Sequence, residues 1–402
     1  MSSYSSLLKT RGVARIMAAQ LVARFPFGML SLAFLLHIER VHNSYGSAGL
    51  VLAALSIGQA IAGPLTSRLM GRWGMRPVIT GTIAICAVAI SIIALVPMSI
   101  TTTMMVAFVA GLTMPPIQPA VRTIYPKMVN SKQLTPLFSL DASAQEIIWV
   151  VGPVITTFTA TQIGTVQGIL LAVTFLVGGG AWFLASPELG RVRIPRSRRR
   201  IGAVLAKPPV LLATIVGFLL VAACAAIEAG VVSAFSHGGA EAGIVLAVFA
   251  VGSLVGGLAL GHIAIGPWAL AQRMFIVFVG TAIAALSLNV GWLAVFLFLA
   301  GVGIAPALAV MFSIVSSSVR FSDTAEAYGW VGTGQLIGAA VGSALAGFMI
   351  DSSGSSGAFV VAAVLALFGF LVPLLGRRFH PDLRGRDASP IPDTEPVATV
   401  TS

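Results

Sequence analysis

The chain has 402 residues, of which 57% are hydrophobic and only 9% charged, and 24 Lys and Arg against 13 Asp and Glu give a formal charge of +11. Its mean hydropathy is +0.97. No water-exposed surface can be assembled from such a chain, which excludes the soluble classes and leaves an integral membrane protein.

A membrane-crossing helix needs roughly 20 mostly apolar residues, and twelve such runs are predicted: 13–38, 46–69, 77–97, 101–123, 136–159, 165–186, 209–235, 241–262, 270–290, 292–316, 325–350 and 356–376. Lys9, Arg11 and Arg15 precede the first. That run is too long for a secretory leader, carries Arg24 and lacks a small-residue cleavage site, so it is expected to be retained. Between the second and third runs lies the turn GRWGMRPVIT, in which Gly71 and Gly74 allow a tight reversal, while Arg72 and Arg76 within it and Arg68 just before it meet headgroups. The fourth run holds MPPIQPAVR, with Pro115, Pro116 and Pro119, and the fifth holds Asp141, Glu146, Gly152 and Pro153. Residues 187–208, PELGRVRIPRSRRRIGAVLAKP, form a basic interruption with six runs on either side. The division is therefore 1–186 and 209–376 as six-helix bundles, 187–208 as a linker, and 377–402 as a polar, Pro-rich tail expected to be disordered.

Every Lys and Arg except Arg24 and Arg40 falls on one side of these spans if the N-terminus is cytoplasmic. The positive-inside rule then expects both termini in the cytoplasm and a multi-pass protein of the inner (plasma) membrane. The same rule absorbs the basic excess, which meets lipid headgroups, so nucleic acid is not expected as a partner.

The halves repeat. SAGLVLAALSIGQAIAG, 47–63, aligns without gaps on EAGIVLAVFAVGSLVGG, 241–257, matching Gly58 with Gly252 and Gly63 with Gly257. More weakly, the fifth span of each half matches Gln145 with Gln335, Ile147 with Ile337, Val151 with Val341 and Gly152 with Gly342. Two repeated six-helix halves are the plan of a transporter whose site lies between them.

Twelve spans in two sixes, a basic central stretch and a Gly/Arg-rich turn after span two resemble the major facilitator superfamily of secondary transporters, over residues 10–376. The resemblance implies an all-α integral membrane fold of two six-helix pseudo-repeat bundles, of the bacterial drug or metabolite efflux type. In that family the turn follows a glycine, here Gly63, and runs acidic residue, basic residue, any residue, Gly, basic pair. Gly71 stands where the acidic residue is expected and Met75 where one basic residue is expected. The acidic clamp between halves that the resemblance implies is thus missing from this turn, and a weakened outward-facing state is expected. Gly152 and Pro153 resemble the Gly-Pro core of the exporter motif, although Ile155 and Thr156 replace its small pair.

Ionisable residues inside spans are costly and mark ion or substrate paths. Arg24 and Glu146 reach similar depths and are expected to pair; Arg122 and Asp141 are expected to pair nearer the basic side; Glu228 is expected to lack a basic partner. Glu146, Glu228 and Asp141 are the proton-coupling candidates, helix fastening being the competing reading. Prolines at 26, 115, 116, 119 and 306 suggest broken helices around a cavity, lined by Arg24, Phe27, Met114, Gln118, Glu146, Glu228, Met311, Phe312 and Gln335. Helix packing is the alternative for each aromatic and Met.

No metal site is expected: His37, His42, His237, His262 and His380 lack ligand spacing, and Cys86 and Cys224 lie in separate halves. With no phosphate-binding loop and no nucleophile-base set, neither an enzyme nor a cofactor is expected. The sequence reads as a monomeric, proton-coupled exporter of small amphiphilic molecules. Three deep carboxyls against Arg24 favour cationic or zwitterionic substrates. The alternatives are a facilitator or importer of a nutrient such as a sugar, and a non-transporting signalling or assembly protein on a degenerate transporter fold.

Overall fold

The computed structural model describes residues 7–192, 194–195, 200–235, 241–261, 263–385 and 388–393. His237 and His262, Arg193, Arg196, Arg198 and Arg199 of the linker, Arg386 and the tail beyond 393 lie outside the described residues.

Twelve helical spans follow one another: α1 (Val13–His42), α2 (Tyr45–Trp73), α3 (Met75–Leu95), α4 in two pieces (Ile100–Leu112 and Ile117–Ile124), α5 (Ser131–Gln162) and α6 (Thr165–Ala185). The second half has α7 (Pro208–Ala234), α8 (Glu241–Leu260), α9 (Ala269–Ala284), α10 (Val290–Ser318), α11 (Phe321–Ser353) and α12 (Ser355–Leu375). Among the described residues, ten spans are long and apolar enough by length and composition to cross a bilayer. The others are α9, apolar but only 16 residues long, and α5, which carries the polar residues discussed below. An even number of spans returns the chain to its starting side. That side, which also carries the linker and the Arg-rich turns, is called the basic side here.

Local chemistry sets the ends. Ser44 accepts a hydrogen bond from the Ser47 amide to start α2, Asn130 caps α5 through Gln133, and Asn289 caps α10 through Gly291 and Trp292. Between α2 and α3 the reversal is a single residue, Gly74, at φ 92, where an L side chain is strained. The fourth span breaks at residues 113–116, where Pro115 and Pro116 cannot continue a helix.

Within the first half α1 packs on α6 and α5, and α2 on α4; within the second, α7 packs on α11 and α12, and α8 on α10. The repeat is visible in these crossings. A Cβ on Gly58 of α2 would strike the Phe108 carbonyl of α4, and one on Gly252 of α8 would strike the Phe298 carbonyl of α10; conversely Gly111 faces the Leu55 carbonyl and Gly301 the Phe249 carbonyl. Likewise Gly152 lies against Gly28 and Gly342 against Ala222. Backbones this close need residues without a side chain, which is why the glycine spacing survives in both halves.

The tail departs from expectation. Instead of being disordered throughout, residues 380–393, where described, dock on the basic side of the second half. The Leu383 amide donates to the Ile265 carbonyl and the Ile391 amide to the Val319 carbonyl, each at 2.9 Å. The Asp393 carboxylate accepts from the Ser322 hydroxyl at 2.7 Å. Local polarity predicted disorder, but the exposed polar ends of α10 and α11 offer partners that composition cannot reveal. Burial pushes the His380 imidazole below its ordinary range where the tail docks.

Candidate substrate and coupling site

Asp141 of α5 organises a buried cluster in the first half. Its carboxylate accepts from Arg122 Nε at 3.0 Å, from the Tyr125 hydroxyl at 3.1 Å and from Gln20 Nε2 at 3.0 Å. Arg24 donates to Gln20 Oε1 at 2.8 Å and to Gln145 Oε1, and its guanidinium stands 3.6 Å from the Asp141 carboxylate. Gln118 turns its carbonyl oxygen to the Arg122 guanidinium. That guanidinium lies face-on over the Phe312 ring of α10, 3.4 Å from its centroid, a cation-π contact that joins the halves.

The Arg122 to Asp141 pair forms as the sequence predicted. The pair expected between Arg24 and Glu146 does not. Asp141 and Gln145 are one turn apart and share the face of α5 that meets α1. Glu146 is rotated about 100° further round the helix and faces the second half. There its carboxylate accepts from the Ser253 hydroxyl of α8 at 2.9 Å. The deep-charge count also changes, because Arg122 is only 2% exposed and belongs with Arg24 among the buried cations.

Glu228, in the half of α7 away from the basic side, is exposed. Its charge is felt by Glu146, and both carboxyls are felt by Cys224, one turn before Glu228 on α7. The two carboxyls thus stand within electrostatic range of each other, one from each half. Of the expected lining residues, Phe27, Gln118, Glu146 and Gln335 are half-buried, whereas Met114, Met311 and Phe312 are packed away, as is nearly all of Arg24. Met311 and Phe312 lie in the basic-side part of α10, where the halves close, and that closure removes them from the chamber. Gln335 borders α7 at Gly217.

The contacts that close the seam fall in the basic-side halves of their helices. Gly63 of α2 lies against Gly329 of α11, and Thr333 of α11 donates to the Ala60 carbonyl at 2.6 Å. In the pseudo-equivalent place Ser139 of α5 donates to the Gly257 carbonyl of α8 at 2.6 Å. Phe138, Phe312 and Tyr328 pack ring to ring across the same seam. Gly71 contributes no acid, but the seam is clamped with the polarity supplied from the other side: Glu326 of α11 accepts from Arg68 of α2 at 3.1 Å and from the Gly202 amide of the linker at 2.7 Å. The expectation that the missing acid leaves this side unclamped is corrected accordingly.

Sequence reasoning missed Gln20, Tyr125, Ser253 and Glu326. Two had a readable signal, since Gln20 sits four residues before Arg24 and Tyr125 three after Arg122, each on a shared helix face. Ser253 had none, being one small hydroxyl in an apolar helix.

A two-bundle helical frame, pseudo-symmetric, with buried charges at the seam, is the architecture of a membrane transporter. The sequence matches the model of the Major Facilitator Superfamily over residues 16–288 and 225–399, and the chain belongs to that family. No curated protein matches it. Its fold is similar to that of a bacterial homologue of the iron transporter ferroportin in the outward-facing state (TM-score 0.75, 12% identity, covering 92% of this chain and 100% of that one). It is also similar to the human organic anion transporter MFSD10 (TETRAN; 0.71, 14%, 90% and 99%). A third similar fold is the E. coli fucose:proton symporter FucP (0.69, 14%, 92% and 100%). The protein is a multi-pass membrane transporter.

Proposed function

We propose that the protein is a proton-coupled exporter of small amphiphilic cations or zwitterions, acting as a monomer in the plasma membrane with its basic side in the cytoplasm. What supports this reading is that Glu146 of one half and Glu228 of the other stand within electrostatic range of each other. Two ionised carboxylates facing each other repel; a proton or a substrate cation relieves the repulsion, and the two compete for the same place. Release of one therefore accompanies capture of the other, which is the condition for exchange. The distribution of Lys and Arg supports a cytoplasmic basic side. The Arg68 to Glu326 clamp on that side supports a state closed to the cytoplasm. Export is supported by the Gly152 and Pro153 segment, where α5 crosses α1 at Gly28.

The test is proton-driven uptake of a fluorescent organic cation into inverted vesicles. Uptake is expected to collapse with the proton gradient, and Glu146→Gln and Glu228→Gln are each expected to abolish the gradient dependence. Unchanged gradient-driven uptake in both variants would overturn the coupling assignment. Flux of a sugar, indifferent to protons, would replace it with the facilitator reading.

A further inference from the structure

The buried charges of the first half do not balance. Arg24 and Arg122 share one carboxylate, Asp141, whose oxygens already accept from Gln20, Tyr125 and Arg122. Glu146 does not supply the missing charge: it bonds Ser253, and the groups that act on the Arg24 charge are Asp141, Arg122 and Tyr125. Arg122 spends its guanidinium on Asp141, Gln118 and the Phe312 ring. Arg24 is different. Its hydrogen-bond partners are the neutral amide oxygens of Gln20 and Gln145, and Asp141 stands off at 3.6 Å. An ion held out of water without a full counter-charge costs several kcal/mol, and a guanidinium fork is the side chain best shaped to receive a carboxylate or phosphate.

Arg24 is 4% exposed, but Gln145, which accepts from it, is half-buried, and the next residue, Glu146, is half-buried and within electrostatic range of Glu228 from the other half.

We infer that Arg24, held by Gln145 and Gln20, is an anion-accepting subsite of the central chamber, so that the substrate is a zwitterion whose anionic group docks at Arg24 and whose ammonium faces Glu146 and Glu228. This narrows the substrate class of the proposed function and rests on that chamber being the transport site.

The experiment measures the melting temperature of the purified full-length protein with matched probes at millimolar concentration. These are phenylalanine and 6-aminohexanoate, their carboxamides, and the amine-free acids 3-phenylpropionate and hexanoate. At least one zwitterion is expected to raise the melting temperature more than its single-charge relatives. Arg24→Gln is expected to erase that preference while leaving the response to the carboxamide cation. Because Arg24→Gln leaves Arg122 and Asp141 as a neutral pair, the ligand-free variant is expected to melt no lower than the parent. Arg24→Lys, which keeps the charge and loses the fork, is expected to retain a weaker preference and serves as the second variant. Equal shifts from zwitterion and carboxamide, a preference that survives Arg24→Gln, or no shift from any probe would each overturn the inference. Its failure is distinguishable from failure of the proposed function. If carboxamides bind as well as zwitterions while Glu146→Gln still uncouples uptake, only the subsite falls; if zwitterions bind through Arg24 while flux ignores the proton gradient, only the coupling falls.

Discussion

The two halves share a frame and differ in what it holds. At the register set by Gly111 and Gly301, Gly152 and Gly342, and Gly28 and Ala222, Arg122 corresponds to Phe312, Asp141 to Val331 and Arg24 to Phe218. One half keeps ions in its interior and the other fills the same places with apolar side chains. At the seam the pseudo-equivalent residues Arg122 and Phe312 stack on each other. The glycine crossings are needed wherever two helices touch closely and so appear twice. Buried charge is expensive and is not repeated where the fold alone does not need it.

The sharpest way to break this comparison is to remove the counter-charge. Asp141→Asn leaves two guanidiniums buried together, and we expect a loss of about 3–5 kcal/mol, the cost of breaking a buried ion pair. It would be read as a large fall in melting temperature or loss of folded protein after extraction. Val331→Ala, at the matching site, removes only apolar volume and should cost about 2 kcal/mol or less, at about 0.8 kcal/mol per methylene. Equal losses would mean that the first half's charges are not interdependent.

The seam comes next. A Cβ on Gly63 would stand 2.9 Å from the Gly329 carbonyl and 3.0 Å from the Thr333 hydroxyl. Gly63→Val should therefore cost the state closed on the basic side about 1–3 kcal/mol, the usual overpacking penalty, which shifts its equilibrium by about 5- to 150-fold. Cys224 reports the change, because it is half-buried beside the chamber while Cys86 is buried. A hydrophilic thiol reagent added on the side away from the basic loops should label Cys224 more slowly in Gly63→Val. Unaltered labelling would show that α2 and α11 do not govern closure.

Ser253→Ala leaves Glu146 without its partner from the other half. The expected cost is about 1 kcal/mol, the net worth of one hydrogen bond, seen as a small change in Cys224 labelling and a shifted pH profile of uptake. Smallest is Arg68→Gln. The pair is partly exposed, with Arg68 at 24%, so about 1 kcal/mol or less is expected. Glu326→Gln should exceed it, because Glu326 also holds the Gly202 amide of the linker. If Arg68→Gln opened the basic side as strongly as Gly63→Val, the clamp rather than the glycine contact would govern the seam.

The sequence by itself determined the membrane class, the number of spans and the duplication, because these follow from hydropathy and glycine spacing, which are local; the fifth span instead starts at Ser131, the ninth ends at Ala284 and the fourth is broken in two. It also placed Arg122 with Asp141, whose depths agree. Depth along a helix is legible from residue counts; the direction a side chain faces is not, unless neighbours four residues apart give it away. For that reason Arg24 was matched to Glu146 by depth, when the turn between them made Gln145 and Asp141 its partners. The clamp from Glu326 to Arg68, the docked tail and the pairing of Glu146 with Ser253 join residues distant in the chain, and only packing of the two bundles decided them. The sequence set where charge is buried; tertiary structure set which charges meet, and so left Arg24 short of a counter-ion.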